Sequence, residues 1–155
     1  MHPEPTVPAL EPAFRVVVEL GPPHDHGVTR AGWRRVVPIT GGTVTGALQG
    51  VIVPGGADWQ LIRDDGAIEV DGRYSAQTNA GELVYLRVVG IRSGPRGVLD
   101  ALGRAEPVDP AQYYFRTGLT LETSAPRLAA LQDALFVASC IREASRVRYT
   151  AYRVT

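Results

Sequence analysis

The chain has 155 residues, with 16 basic and 16 acidic side chains and a formal net charge of +0. Every basic residue is arginine, which excludes Schiff-base chemistry on lysine, and the single cysteine, Cys140, excludes an intrachain disulfide or a cysteine-based metal cluster. Scattered, balanced charge argues against a nucleic-acid-binding stripe, no apolar run nears the roughly 18 residues of a membrane helix, and Met1-His2-Pro3-Glu4-Pro5 lacks the basic and apolar regions of a secretory signal.

A cytoplasmic protein with no nucleic-acid or membrane partner is therefore the expectation. The 45% apolar content is that of a globular chain, and the length suits one domain. Residues 1–12 carry Pro3, Pro5, Pro8 and Pro12 and few apolar anchors, which predicts a flexible N-terminal arm before a single domain over 13–155. The first strand runs from Phe14 to Leu20 and stops at Gly21-Pro22-Pro23. His24-Asp25-His26-Gly27 reads as a polar loop. Strands follow over Arg34–Ile39, Thr43–Gly46 and Gln49–Val53, punctuated by Gly41-Gly42 and by Pro54-Gly55-Gly56.

Asp58–Arg63 and Ala67–Thr78 form a hairpin about Asp64-Asp65-Gly66, and Asn79-Ala80-Gly81 turns the chain into a strand over Leu83–Arg92. Residues 98–112 are ambiguous, with Pro107 and Pro110 marking a loop. Tyr113–Thr123 is β-like, and residues 126–134 read as a short helix with Ser124 at the N-cap position. Leu135–Glu143 and Val147–Val154 close the chain as strands. Glycine- and proline-bearing turns at short intervals between so many strands predict an all-β fold, an antiparallel closed barrel of about 8–10 strands, because closure removes exposed edges.

Alternate residues of a strand face opposite sides. On Ala67–Thr78 one set is Ile68, Val70, Gly72, Tyr74, Ala76, Thr78 and the other Glu69, Asp71, Arg73, Ser75, Gln77. On Leu83–Arg92 the sets are Leu83, Tyr85, Arg87, Val89, Ile91 and Val84, Leu86, Val88, Gly90, Arg92. On Tyr113–Thr123 they are Tyr113, Phe115, Thr117, Leu119, Leu121 and Tyr114, Arg116, Gly118, Thr120, Glu122. Either the charged sets are solvated and the apolar ones fill the barrel, or some arginines and carboxylates face a lumen that binds a polar small molecule.

From Gly41 onward the chain resembles the DUF3237 (UPF0311) family. The resemblance rests on Gly50-Val51-Ile52-Val53-Pro54-Gly55-Gly56-Ala57-Asp58-Trp59, on Asp71-Gly72-Arg73-Tyr74, on Gly81-Glu82-Leu83-Val84-Tyr85, on Tyr114-Phe115-Arg116-Thr117 and on Leu121 to Arg127. It covers nearly everything after Ala13. It implies a small lipocalin-like antiparallel barrel that self-associates as a homodimer or larger homo-oligomer, and a cofactor-free enzyme as a plausible activity. Gly72 departs from the Asp-Ala-Arg-Tyr common in the family, and Ala130-Leu131-Gln132 from its Trp-Leu-Asn.

The candidate catalytic residues are Asp58 as a general base, Arg73 as a carboxylate or enolate clamp, Tyr74 and Tyr85 as phenolic proton donors, and Arg116 with Glu122 as a charge pair. Trp59, Tyr114, Phe115 and Phe136 are the candidate substrate-binding walls. Each has a plainer reading as a core side chain or a solvated surface charge. His24-Asp25-His26 lacks a third ligand, so no metal is expected. Neither a nucleophile elbow nor a Walker or Rossmann pattern occurs, so no cofactor is expected. The reading is a barrel holding a small-molecule ligand. Its function is cofactor-independent acid–base chemistry on a carbonyl-bearing or cyclic metabolite (isomerase, cyclase or lyase), or non-catalytic carriage; a filled core would leave only a structural role.

Overall fold

A computed structural model describes all residues, 1–155. Nine strands and one α-helix follow one another as β1 (Leu10–Leu20), β2 (His24–Thr29), β3 (Gly32–Gly46), β4 (Gly50–Ile62), β5 (Ile68–Thr78), β6 (Leu83–Ser93), α1 (Arg96–Gly103), β7 (Tyr114–Thr123), β8 (Phe136–Arg142) and β9 (Arg146–Val154). From β3 to β9 each strand pairs with the next, antiparallel, and β9 pairs with β1. Pairing of β1 with the second half of β3, from Phe14↔Gly46 to Leu20↔Ile39, closes an eight-stranded barrel. The short β2 lies outside the closure, on the first half of β3. No helix is long and apolar enough to cross a membrane.

The structure joins the strands expected on either side of Gly41-Gly42 into β3 and those on either side of Pro54-Gly55-Gly56 into β4, and it revises four other local expectations. β1 begins at Leu10, inside the stretch read as an arm, because the last strand needs a neighbour: Leu10 pairs with Val154, and Ala9 exchanges backbone hydrogen bonds with Thr155. Pro12 is accommodated by a register shift between Pro12 and Phe14, where its missing N–H breaks no ladder bond. The histidine-bearing segment is strand β2 and not a loop; Asp25 Oδ1 accepts from the Gly27 N–H and from Trp33 Nε1, which ties β2 to β3.

The helix expected over 126–134 is a 3₁₀ segment, Pro126–Gln132, with Ala125 rather than Ser124 at its cap. It contributes Leu128 to the core, and a 3₁₀ segment spans more distance per residue than an α-helix, which suits a short strap between two strands. The α-helix lies instead in the stretch left ambiguous. Leu99 and Leu102 are three apart on its buried face, and Arg96 and Asp100 form an i,i+4 ion pair at 3.3 Å. Gly97 within it weakens the local helical signal.

Two glycine devices shape the wall. Pro54, Gly55 and Gly56 of β4 together face the single β5 residue Tyr74, a bulge that bends β4 yet restores alternation, so that Asp58 faces the same side as Ile52. At Gly42 the closing strands approach so tightly that a Cβ would stand 1.9 Å from the Val17 carbonyl oxygen, and its φ of 144° lies in the glycine region. Gly42→Ala therefore costs at least about 1 kcal/mol in a urea-denaturation measurement. An unchanged midpoint would mean that the closure is looser than described.

The interior is filled at one end only. Phe14, Val16, Val44, Leu48, Ile52, Val84, Leu86, Leu119 and Phe136 close that end, with Phe14 and Phe136 ring centroids 5.7 Å apart. Toward the other end, where β6 runs into α1 and β8 turns into β9, the walls enclose a cavity of about 440 Å³.

A candidate ligand site in the open half of the barrel

The cavity is within the roughly 300–1,000 Å³ of ordinary small-molecule sites. Its walls are mainly apolar, from Val18, Val37, Ile39, Val70, Val88 and Phe115. Its mouth is framed by Leu20 to Pro23, by Leu102 to Ala105 around the end of α1, and by Ala144-Ser145 before β9. Into this space project one carboxylate, Asp58, and three guanidinium groups, Arg35, Arg92 and Arg142.

Asp58 comes inward from β4, in register with Gly72 of β5. Its Oδ1 accepts from the Asp71 N–H at 2.9 Å and its Oδ2 from Gln60 Nε2 at 2.8 Å. Asp58 is half-buried in the cavity wall. Burial pushes its pKa above the ordinary aspartate value, against the pull of Gln60, the Asp71 N–H and Arg92. Gln60 Oε1 in turn accepts from Arg35 Nε and Nη2 at 3.1 and 3.0 Å, so Arg35 reaches the carboxylate through an amide and not directly.

Arg92, inward on β6, is 4% exposed, and its Nε has no hydrogen-bond partner in the protein. Its guanidinium carbon stands 5.8 Å from the centre of the Phe115 ring. Burial, with the fields of Arg142 and Arg35, pushes its pKa down to about 10, which still leaves it charged at neutral pH. Arg142 donates to the backbone carbonyls of Glu143 and Arg146. The Glu143 carboxylate is itself taken by Arg146 and Arg148.

Deeper in the cavity Tyr74 and Tyr149 share a hydrogen bond at 2.5 Å between their hydroxyls. Burial raises both pKa values, so both phenols are neutral. Cys140, beside Thr117, has its thiol pushed up to about 12 by burial and stays protonated. Tyr74→Phe or Tyr149→Phe alone strands a buried hydroxyl and costs about 1 kcal/mol, while the double substitution costs less than the two added together. A double-mutant cycle in denaturant reads this coupling, and additive losses would sink the pairing.

A match to the model of the family described as "protein of unknown function (DUF3237)" spans residues 8–154. This chain belongs to the DUF3237 family. A UPF0311 protein of Bradyrhizobium diazoefficiens is 41% identical to it over 141 residues, 91% of this chain and 93% of the relative. Among solved structures, a conserved protein of unknown function from Rhodopseudomonas palustris superposes with a TM-score of 0.92 at 38% identity, covering 98% of this chain and 100% of its own. An enzyme of Penicillium herquei shares the fold at a TM-score of 0.74 and 18% identity, with 100% of both chains covered.

Within this DUF3237 barrel, the residues singled out from sequence separate cleanly by wall. Asp58, Tyr74 and Phe115 line the cavity. Phe136 does face inward but packs at the filled end against Phe14, out of reach of a ligand. Arg73, Tyr85, Arg116, Glu122, Trp59 and Tyr114 lie on the outer wall, because each alternates with a buried neighbour. Arg73 pairs there with Asp71 at 3.1 Å, Arg116 lies over the Tyr114 ring at 5.4 Å, and Trp59 stays 39% exposed. Arg73 and Tyr85 do meet, in a shallow outer depression beside Pro54 and Ser75.

Arg35, Gln60, Arg92, Arg142 and Tyr149 were not singled out. A signal for the arginines exists in the sequence. Arg35 precedes Val37 and Ile39 in alternation, Arg92 follows Val84, Leu86 and Val88, and Arg142 follows Phe136, Ala138 and Cys140. Each is an arginine at the end of an apolar alternating set.

Proposed function

We propose that this barrel binds a small carbonyl-bearing metabolite and shifts a proton on it, with Asp58 as the base and then the acid. The observation that supports the reading is an inward, half-buried carboxylate in the same cavity as Arg92, a buried guanidinium whose Nε has no partner in the protein. Asp58 takes a proton from the carbon beside the carbonyl, and the C–H electron pair moves onto the carbonyl oxygen. Arg92 meets the resulting enolate oxygen with a charge-assisted hydrogen bond. In a substrate with a double bond next to that carbon the enolate is a dienolate: the proton returns from Asp58 to its far carbon, the carbonyl re-forms as the double bond shifts into conjugation with it, and the net reaction is an isomerisation with no oxidant or cofactor. The neutral phenols of Tyr74 and Tyr149 orient the substrate as hydrogen-bond partners.

The apolar walls favour a second reading, carriage of the same ligand without chemistry. Carbon-bound hydrogen exchange in D₂O, followed by NMR over a set of small ketones and keto acids, separates them. The enzyme exchanges the acidic hydrogen and its Asp58→Asn variant does not; a carrier binds without accelerating exchange.

A further inference from the structure

We propose that the ligand of this cavity is a small organic dianion, with its two anionic groups held by Arg35, Arg92 and Arg142 around an apolar body. The inference rests on the reading of the cavity as a ligand site and goes on to give the ligand its charge.

The charge pattern of the whole chain points to it. The ion pairs of this protein are made by Arg63, Arg73, Arg87, Arg96, Arg104, Arg127, Arg146 and Arg148, all with substantially exposed side chains. The three arginines in the cavity are in none of them. For the buried Arg92 that is the reverse of what stability selects, since a buried charge is normally paired and an exposed one gains little from pairing; Arg35 and Arg142 are half-buried. Arg35 is bonded to a neutral amide, Arg142 to backbone carbonyls, and the Arg92 Nε to nothing in the protein.

Asp58 is the only carboxylate in the cavity wall, and Gln60 stands between it and Arg35. Within the cavity wall three guanidinium groups thus face one carboxylate, a surplus of two positive charges that only Asp25, opposite Arg35 on the outer strand β2, offsets in part, and guanidinium groups cannot neutralise themselves by losing a proton. Two negative charges on one bound molecule balance them. Between the charges the walls are Val70, Val88 and Phe115, which suit a ring or branched hydrocarbon body rather than a sugar.

A dicarboxylate and a phosphate monoester both supply this chemistry. Phthalate and phenyl phosphate are the two dianionic probes, phthalamide is the neutral isostere of the first, and binding is read by isothermal titration calorimetry on the full chain. At least one dianion binds more than about tenfold tighter than phthalamide, and which of the two does so identifies the anionic group. Arg92→Gln and, independently, Arg142→Gln at the cavity mouth each weaken that dianion by about tenfold or more and weaken phthalamide markedly less. Asp58→Asn tightens it, because the substitution removes the repelling carboxylate.

Phthalamide binding as tightly as both dianions, no binding by either dianion, or arginine variants with unchanged affinity would each overturn the proposal. Its fate is separable from that of the proton-transfer reading. Dianion preference with Asp58→Asn still exchanging hydrogen removes the chemistry and keeps the ligand class. Loss of exchange in Asp58→Asn together with equal binding of diamide and diacid removes the ligand class and keeps the chemistry.

Discussion

Asp58→Asn lowers the rate of substrate hydrogen exchange by about 10²–10⁴-fold, the usual contribution of a positioned general base. The substitution keeps the size of the side chain, but an amide offers one acceptor where the carboxylate offers two. Gln60 Nε2 and the Asp71 N–H both donate to this group, so one donor faces another in the variant. The stability cost of that mismatch, about 1 kcal/mol, is partly offset because a charge that burial disfavours has gone. Loss of exchange with little loss of stability is the expected pattern. A variant that exchanges hydrogen at the parent rate leaves the carboxylate with a structural role only.

The pH dependence follows from the same burial. The folded pKa of Asp58 lies above its unfolded value, so the native state binds this proton more readily than the unfolded chain does. Asp58 therefore stabilises the fold most when protonated. Its contribution falls as pH rises from the unfolded value through the folded one, and is constant outside that window. The base form needed for catalysis appears in the same window, so exchange rises with pH where this contribution to stability declines. The groups facing Asp58 across the cavity, Arg35, Arg92, Arg142, Tyr74, Tyr149 and Cys140, hold one charge state throughout it. Urea titrations of parent and Asp58→Asn at several pH values, compared with the exchange profile, check the coincidence. Parallel stability curves for the two proteins would show that Asp58 titrates normally.

Arg92→Met raises the stability of the unliganded protein by about 1–2 kcal/mol while removing dianion binding. A buried guanidinium with an unpartnered Nε carries a desolvation cost of about 1–3 kcal/mol or more, and the fields of Arg35 and Arg142 add to it. Methionine fills the volume of the arginine stem and meets Phe115 through its sulfur at about 0.3–1.5 kcal/mol, which largely replaces the cation–π attraction of the guanidinium. The desolvation effect is the larger, so the sign is stabilising. A residue kept for function at the expense of stability behaves in this way. Destabilisation by Arg92→Met would instead make Arg92 a packing residue of the barrel wall.

Much of the architecture was legible because it is local. Pro54-Gly55-Gly56, Asp64-Asp65-Gly66 and Asn79-Ala80-Gly81 mark bends or turns by their backbone chemistry, and Val84-Leu86-Val88 alternates as a half-buried strand must. The two alternating sets on β5, β6 and β7 were separable from sequence; the structure puts the uncharged set inside on β5 and β7, whereas on β6 each set carries one arginine and the set with Arg92 is inside. What escaped was the exception within the inward set. Arg92 belongs by parity to an apolar face, yet its charge alone reads as surface. Arg73 and Glu122, charged as a site should be, lie on the solvent wall. The helix was misplaced for a similar reason: Gly97 hides α1, whereas Leu128 and Leu131 give the 3₁₀ strap an apolar periodicity.

The sequence by itself determined most of the strands, the hairpin turns at Asp64-Asp65-Gly66 and Asn79-Ala80-Gly81, the barrel class and the chemistry left available in a chain with no lysine and one cysteine. Tertiary structure alone decided that Arg35 of β3, Asp58 of β4, Arg92 of β6 and Arg142 of β8 meet at one end of one cavity. The physical reason is that alternation fixes the face of a side chain but not its height in the barrel. Height depends on the stagger between strands, which is set by the bulge at Pro54-Gly55-Gly56 and by the register of the closing pair of β1 with β3, which packs tightly at Gly42.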